Sequence, residues 1–192
     1  QFAHPRFPVA IDQHESITRA HIKILGVSDV NWDHHLKAWR WDVLRDGKLY
    51  YVHAFPLPHL SGSSLAYDFL CVNDGKRVVY ATDTTLDLKN KNVRRFARAL
   101  CVGPKVNLFI AECNFANRHK DLARLTGHTF PCILGKFLKL INPKHAILTH
   151  LHPQSDEYGG EFFKEDIIAR DEVQNEYEKP VSLARQEMVL VV

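Results

Sequence analysis

Val78-Val79-Tyr80-Ala81-Thr82-Asp83-Thr84-Thr85 is the stretch that most narrows what this chain can become. Three β-favouring residues run into a carboxylate flanked by hydroxyls. Val78 to Tyr80 therefore read as a buried strand, and Asp83 as the residue where that strand spills into a loop. Ala146-Ile147-Leu148-Thr149-His150 repeats the construction with an imidazole at its end. Strand ends are where a rigid sheet presents side chains to a ligand, and an Asp and a His delivered this way point to one shared metal site. Either terminus alone reads as a polar strand end facing water. The pair together is what constrains the fold.

The 192 residues suffice to bury a sizeable core. No repeat, low-complexity tract or long linker divides them, so one domain over 1–192 is expected. A net charge of +3 permits an anionic substrate, but no long basic run marks a nucleic-acid arm. Histidine is the unusual count, twelve in all, and as the commonest metal ligand it favours a metal site without locating one. Cys71, Cys101, Cys113 and Cys132 form no CxxC pair and read as reduced thiols of a cytoplasmic protein. No apolar run is long enough to span a membrane, and no signal-peptide core opens the chain, so no membrane partner is expected.

Taken in order, short strands are expected at 8–12 and 22–27, followed by a loop rich in acid, amide and imidazole groups from Asp29 to His35. A helix is expected to begin at Leu36-Lys37-Ala38-Trp39. Asp46-Gly47 marks a hairpin between Val43-Leu44 and a strand that starts at Leu49 and continues to His59. A Ser/Gly loop at 61–64 leads to a strand over 65–72, a turn at Asn73-Asp74-Gly75-Lys76 and a strand over 77–82. The helical spacing of 90–101 leaves a basic outer face. A strand over 106–111 ends in Glu112, a helix over 116–126 runs into Gly127-His128-Thr129, and 131–141 is a helix started by Pro131 and stopped by Asn142-Pro143. A strand at 145–150, a charged, exposed helix at 161–175 and a strand at 188–192 complete the chain. Early hairpins followed by strand–helix alternation imply an α/β fold with mixed sheets.

These strand ends, in this order, resemble the metallo-β-lactamase fold, and within it the phosphodiesterase branch that includes ribonuclease Z. The resemblance covers roughly residue 9 onward and is strongest from 49 to 152. Tyr51-Val52-His53-Ala54-Phe55-Pro56-Leu57-Pro58-His59 is similar to the segment with the third-motif histidine, Tyr80-Ala81-Thr82-Asp83-Thr84 to the loop of the bridging aspartate, and Leu148-Thr149-His150 to the last ligand motif. Ile110-Ala111-Glu112-Cys113 and Gly127-His128-Thr129 resemble the segments that set a glutamate and a histidine beside the scissile phosphate. The family's HxHxDH signature is absent. In the corresponding place stands Asp29-Val30-Asn31-Trp32-Asp33-His34, after an expected strand and before an expected helix. The stretch before it is short, so the family's first strands are expected to be shortened or missing.

The resemblance implies a four-layer αββα sandwich of mixed sheets and two metal positions. The first would be Asp29, Asn31 and His59, weak or empty because a neutral amide binds zinc poorly. The second would be Asp33, His34 and His150, with Asp83 bridging, a strong site for Zn2+ or Mn2+. Asp33, Glu112 and His128 are the expected catalytic residues. Glu112 would orient His128, and His128 would protonate a leaving oxygen or hold a phosphate oxygen. The expected activity is metal-dependent hydrolysis of phosphodiester bonds in small or cyclic nucleotides or at nucleic-acid ends. The alternative is a catalytically impaired member that serves as a binding or assembly module. Only residues 35–58 separate His34 from His59, too short a stretch for a tRNA-gripping arm, which disfavours tRNA processing. A homodimer stays open.

Overall fold

Asp46 and Gly47 both take positive φ, 51° and 71°, as a two-residue hairpin turn requires. They join β2 (Ala38–Arg45) to β3 (Lys48–His59), which pair antiparallel from Arg45↔Lys48 to Trp39↔Ala54. The computed structural model describes residues 30–60, 62–113, 115–149, 161–184 and 188. Within them one eight-stranded mixed sheet runs in sequence order: β1 (Asn31–Asp33), β2, β3, β4 (Gly62–Cys71), β5 (Arg77–Ala81), β6 (Leu108–Glu112), β7 (His145–Thr149) and β8 (Val181–Leu183). The first five are joined antiparallel, and β5 to β8 pair in parallel. Consequently β3, β5, β6 and β7 point the same way, and their C-terminal ends share one edge of the sheet.

Parallel neighbours need crossovers, and helices supply them. α1 (Lys91–Cys101) links β5 to β6, a 3-10 turn (Asn117–His119), α2 (Lys120–Thr126) and α3 (Pro131–Ile141) link β6 to β7, and α4 (Glu161–Tyr177) precedes β8. α1 starts where the Asn90 side chain accepts the Asn92 amide at 2.8 Å, and it buries Val93, Phe96, Ala97 and Leu100. α3 has Pro131 in its first turn and stops at Asn142 in the left-handed region, φ 47°. The core lies between this helical layer and one face of the sheet. A run of rings crosses it: Phe55 to Phe96 at 5.0 Å, Phe96 to Phe137 at 5.7 Å, Phe137 to Phe109 at 5.5 Å. The opposite sheet face carries Trp39, Trp41, Tyr67, Phe69 and Tyr80, and Phe69 and Tyr80 are each 39% exposed.

A buried ion pair ties helix to sheet. The Arg77 guanidinium donates to both Asp68 carboxylate oxygens at 2.8 Å, and it also reaches the carbonyls of Ala99, Leu100, Val102 and Pro104 at 2.9 to 3.1 Å. These are the carbonyls that the C-terminus of α1 leaves without intrahelical partners, together with those just beyond it.

Several expectations need correction. Leu36-Lys37-Ala38-Trp39 does not begin a helix. Residues 34–37 are a turn, and Ala38 and Trp39 open β2. Asp33 Oδ1 accepts the His35 and Leu36 amides at 2.8 Å each, the Lys37 amide donates to Asp33 O, and Lys37 sits at φ 54°. This closed turn reverses the chain, and the alternation of Trp39, Trp41 and Val43 then favours strand. Asn31 to Asp33, read as loop, are β1. β4 begins at Gly62 rather than after the Ser/Gly loop. α4 is not merely exposed: Ala169, Val173 and Tyr177 bury one side of it, and Gly135 on α3 admits it so closely that a Cβ there would stand 2.4 Å from Glu176 Cβ. β8 was not anticipated. All described strands fall in one sheet, so a second sheet of the four-layer sandwich is not among the described residues. The strands expected at 8–12 and 22–27, and the closing strand at 188–192 apart from Met188, lie outside them. None of the helices described is long and apolar enough to cross a membrane. All four cysteines are free thiols.

Candidate active site at the strand ends

Glu112 ends β6 and is 1% exposed, so its carboxylate is an interior group that must be satisfied locally. Its Oε1 accepts the Thr129 amide at 2.7 Å and the Thr84 amide at 3.3 Å. His128 Nδ1 lies 3.3 Å from the same oxygen. One carboxylate thus joins the loop after β5, which carries Asp83, to the loop after α2, which carries His128.

Further bonds lock these loops to the end of β3. Thr129 Oγ1 donates to Thr84 O at 2.6 Å and accepts the Leu86 amide at 3.0 Å. Thr84 Oγ1 donates to Pro58 O at 2.8 Å, and the Thr85 amide reaches the same carbonyl at 3.0 Å. Thr82 Oγ1 meets Ser64 Oγ at 2.6 Å and donates to Leu65 O at 2.7 Å. Asp83, half-buried, is therefore flanked on both sides by threonines fixed to neighbouring strands. Burial, and then the charge of Asp83, raise the Tyr80 phenol above its ordinary value.

His59 closes β3 and faces the same pocket of groups. Its Nδ1 lies 3.1 Å from Gly127 O, and its ring meets the His128 ring edge-on at 5.3 Å between centroids. An imidazole whose Nδ1 donates to a backbone carbonyl presents Nε2 outward as a ligand, the usual arrangement of a metal-binding histidine. Glu112 Oε2 is buried with no hydrogen-bond partner among the described residues, so a buried acceptor stays open beside this cluster. Both observations fit a metal centre or its bound water. Burial, followed by the Glu112 charge, pushes the neighbouring Cys113 thiol well up, so it stays an uncharged thiol.

The structure thus brings His59, Glu112 and His128 together, with Asp83 in the loop bonded between them. β7 ends at Thr149 beside Glu112; His150 lies just beyond, outside the described residues, as do Asp29 and His152. Asn31, Asp33 and His34 are elsewhere. Asp33 pairs with Ala38, whose register continues to Phe55. Phe55 lies four residues before His59, a rise of roughly 13 Å, and β1 is two strands across, about 10 Å more. The Leu36 amide, followed by the His35 amide, holds the Asp33 carboxyl below the usual range. Among the described residues no three His, Cys, Asp or Glu side chains stand close enough to hold a metal by themselves. Gly127, Thr84, Thr85 and Thr129 lie within motif segments read from the sequence, which assign them no role of their own; the run of hydroxyls around Asp83 is the available signal.

No family model matches the chain. The ribonuclease Z of Brevibacillus brevis is 26% identical over 95 residues, which cover 50% of this chain and 27% of that protein. The crystal structure of human tRNase Z, short form, superposes with a TM-score of 0.59 at 18% identity, covering 84% of this chain and 49% of that one. The metallo-β-lactamase fold protein YhfI of Bacillus subtilis gives 0.53 at 19% identity, covering 71% and 47%. The chain has the metallo-β-lactamase fold. Unliganded yeast PDE1 also superposes, with a TM-score of 0.57 at 17% identity over 71% of this chain and 44% of that one. This metallo-β-lactamase fold chain spans about half the length of these solved structures and about a quarter of the ribonuclease Z it matches.

Proposed function

We propose that the chain carries the strand-end half of a metal-dependent phosphodiesterase site acting on nucleic-acid ends or on small or cyclic nucleotides. The observation that carries this reading is Glu112 Oε1 standing 3.3 Å from His128 Nδ1, beside a His59 whose own Nδ1 is taken by the Gly127 carbonyl. The Glu112 carboxylate, 3.3 Å from Nδ1 of His128, would align that ring by charge and balance it when protonated. His128 then gives its proton to the leaving oxygen or holds a phosphate oxygen. His59, Asp83 and His150 would hold zinc or manganese, which when bound supplies Lewis-acid activation of water. Asp33 has no part in this reading, because its carboxylate closes the 34–37 turn. The names of two relatives, ribonuclease Z and tRNase Z, favour RNA as the source of the diester.

The competing reading, a binding or assembly module, drew on Asp29 and Asn31 standing where the signature has histidines. Asn31 pairs with Arg40 inside β1, which weighs against reading that segment as a decayed ligand loop. The test is hydrolysis of a chromogenic phosphodiester, cyclic nucleotides and a 3′-labelled RNA with zinc and manganese supplied in turn, alongside metal content by mass spectrometry. Hydrolysis that is lost together with bound metal in Asp83→Ala supports the enzyme. Metal retention in Asp83→Ala, or no turnover with any metal, overturns it.

A further inference from the structure

Strand alternation divides the residues of β2 to β5 between two chemically different faces of the sheet. One face meets α1, α3 and α4 through Phe55, Val79 and Phe109, and it also carries Arg40, His53, Asp68 and Arg77. On the other, no residue of β2 to β5 is charged beyond the Arg45↔Lys48 pair beside the hairpin turn.

Apolar rows cross this second face. Trp32, Trp39, Ala54, Tyr67, Tyr80 and Ile110 stand opposite one another in turn from β1 to β6. Trp41, Val52, Phe69 and Val78 form the next row. All three tryptophans of the chain are therefore on this face. Phe69 and Tyr80 remain 39% exposed, and Trp39, Trp41 and Tyr67 are half-buried, so no described layer covers the rings. Apolar side chains gathered in this way mark a contact surface, whereas scattered ones do not. Parallel sheet is also rarely left bare on one side, and β5 to β8 are parallel.

Width and charge decide what fits. Residues 1–29, with short strands expected at 8–12 and 22–27, would lay down a strip about 10 Å wide, whereas β1 to β5 alone span roughly 19 Å. A second copy brings the same rows over the same width, and an uncharged face meets itself with no buried charge left unpaired. We infer that this face is an interface between two copies of the chain, their sheets packed face to face about 10 Å apart with the helices outside, as a symmetric four-layer assembly. The inference goes beyond the phosphodiesterase reading and does not depend on it. Rings of these kinds bury roughly 150–250 Å2 each when covered, so the part still outside amounts to roughly 500 Å2 per copy, the low end of specific interfaces. Dissociation in the micromolar range is expected.

The test is sedimentation velocity of the whole chain from about 1 to about 100 µM, with acrylamide quenching of tryptophan fluorescence on the same samples. Dimer should form as concentration rises, and quenching should fall along the same curve, because every tryptophan stands on the covered face. Phe69→Glu sets a charge on that face outside the helical core and should raise the dissociation constant about thirtyfold or more. Leu140→Glu, on α3 and 51% exposed, is the control and should leave it unchanged. If Phe69→Glu does not fold, the wild-type quenching curve carries the decision. A monomer at every concentration with shielded tryptophans overturns the inference and assigns the face to residues 1–29 of the same chain. A monomer with quenchable tryptophans overturns it as well and leaves the face to a different protein. A dimer that Phe69→Glu leaves intact, or that dissociates with no rise in quenching, forms through another surface and is the third contrary result.

Discussion

Gly127 stands so close to Leu60 that a Cβ on it would lie 2.4 Å from the Leu60 amide nitrogen and 3.1 Å from His59 Nδ1. Its φ of 79° also lies in the left-handed region. Both constraints fall on the residue whose carbonyl accepts from Thr85 Oγ1 at 2.7 Å and faces His59. Gly127→Ala should therefore cost about 2 kcal/mol or more in unfolding free energy, by urea denaturation, and should weaken metal retention through a displaced His59. A variant of wild-type stability and metal content would contradict the close approach.

Glu112 separates structural from chemical roles when varied in two ways. Glu112→Ala orphans the buried Thr84 and Thr129 amides and should destabilise the chain by roughly 3 kcal/mol. Glu112→Gln keeps an oxygen for those amides but removes the charge facing His128. Its stability should stay close to wild type while turnover of a chromogenic phosphodiester falls by roughly 10² or more. Equal turnover in Glu112→Gln would mean that the carboxylate only supports the loops.

Asp33 and Asp83 should behave as opposites. Asp33→Ala removes the acceptor of the His35 and Leu36 amides, so it should lose about 1 kcal/mol of stability yet retain metal. Asp83→Ala and His59→Ala should release metal, with smaller effects on unfolding. Metal analysis of the three purified variants decides it, and metal loss in Asp33→Ala would return Asp33 to the ligand set.

His53 should make the fold acid-sensitive. Burial pushes its imidazole below the ordinary value, with Asp68, 3.9 Å away, opposing that and Arg40 adding to it. Between the depressed folded value and the ordinary one near ~6.5, the unfolded chain binds the proton that the folded chain refuses. Stability contributed by neutral His53 is thus present above about pH 6.5 and is lost as pH falls through that window. The drop in urea midpoint from about pH 7 to about pH 5 should be smaller in His53→Gln than in wild type. Parallel pH profiles would sink the assignment.

What could be read from sequence follows from how local each signal is. The Asp46-Gly47 and Asn73–Lys76 turns, the Pro131 start of α3 and the apolar runs before Glu112 and His150 are short-range patterns, and the described strands and helices follow them. Leu36 to Trp39 misled because helix periodicity and strand alternation are hard to tell apart over four residues, and the deciding bonds come from Asp33, upstream of them. β8 is three residues long, and only its pairing with β7 makes it a strand. The Glu112–His128 pair was expected through the resemblance, whereas the hydroxyl scaffold of Thr84, Thr85 and Thr129 joins segments more than twenty-five residues apart and has no local signature.

The grip of Arg77 on Asp68 and on the carbonyls at the end of α1 reaches beyond stability. The β4–β5 hairpin and α1 cannot separate without stripping the Arg77 guanidinium of its bonds to the carbonyls of Ala99, Leu100, Val102 and Pro104, an event that costs several kcal/mol. Amide hydrogens in these two elements should therefore exchange with solvent through a single shared opening rather than independently. α1 is for that reason carried as a rigid extension of the sheet, at a constant separation from the strand ends at Asp83 and Glu112.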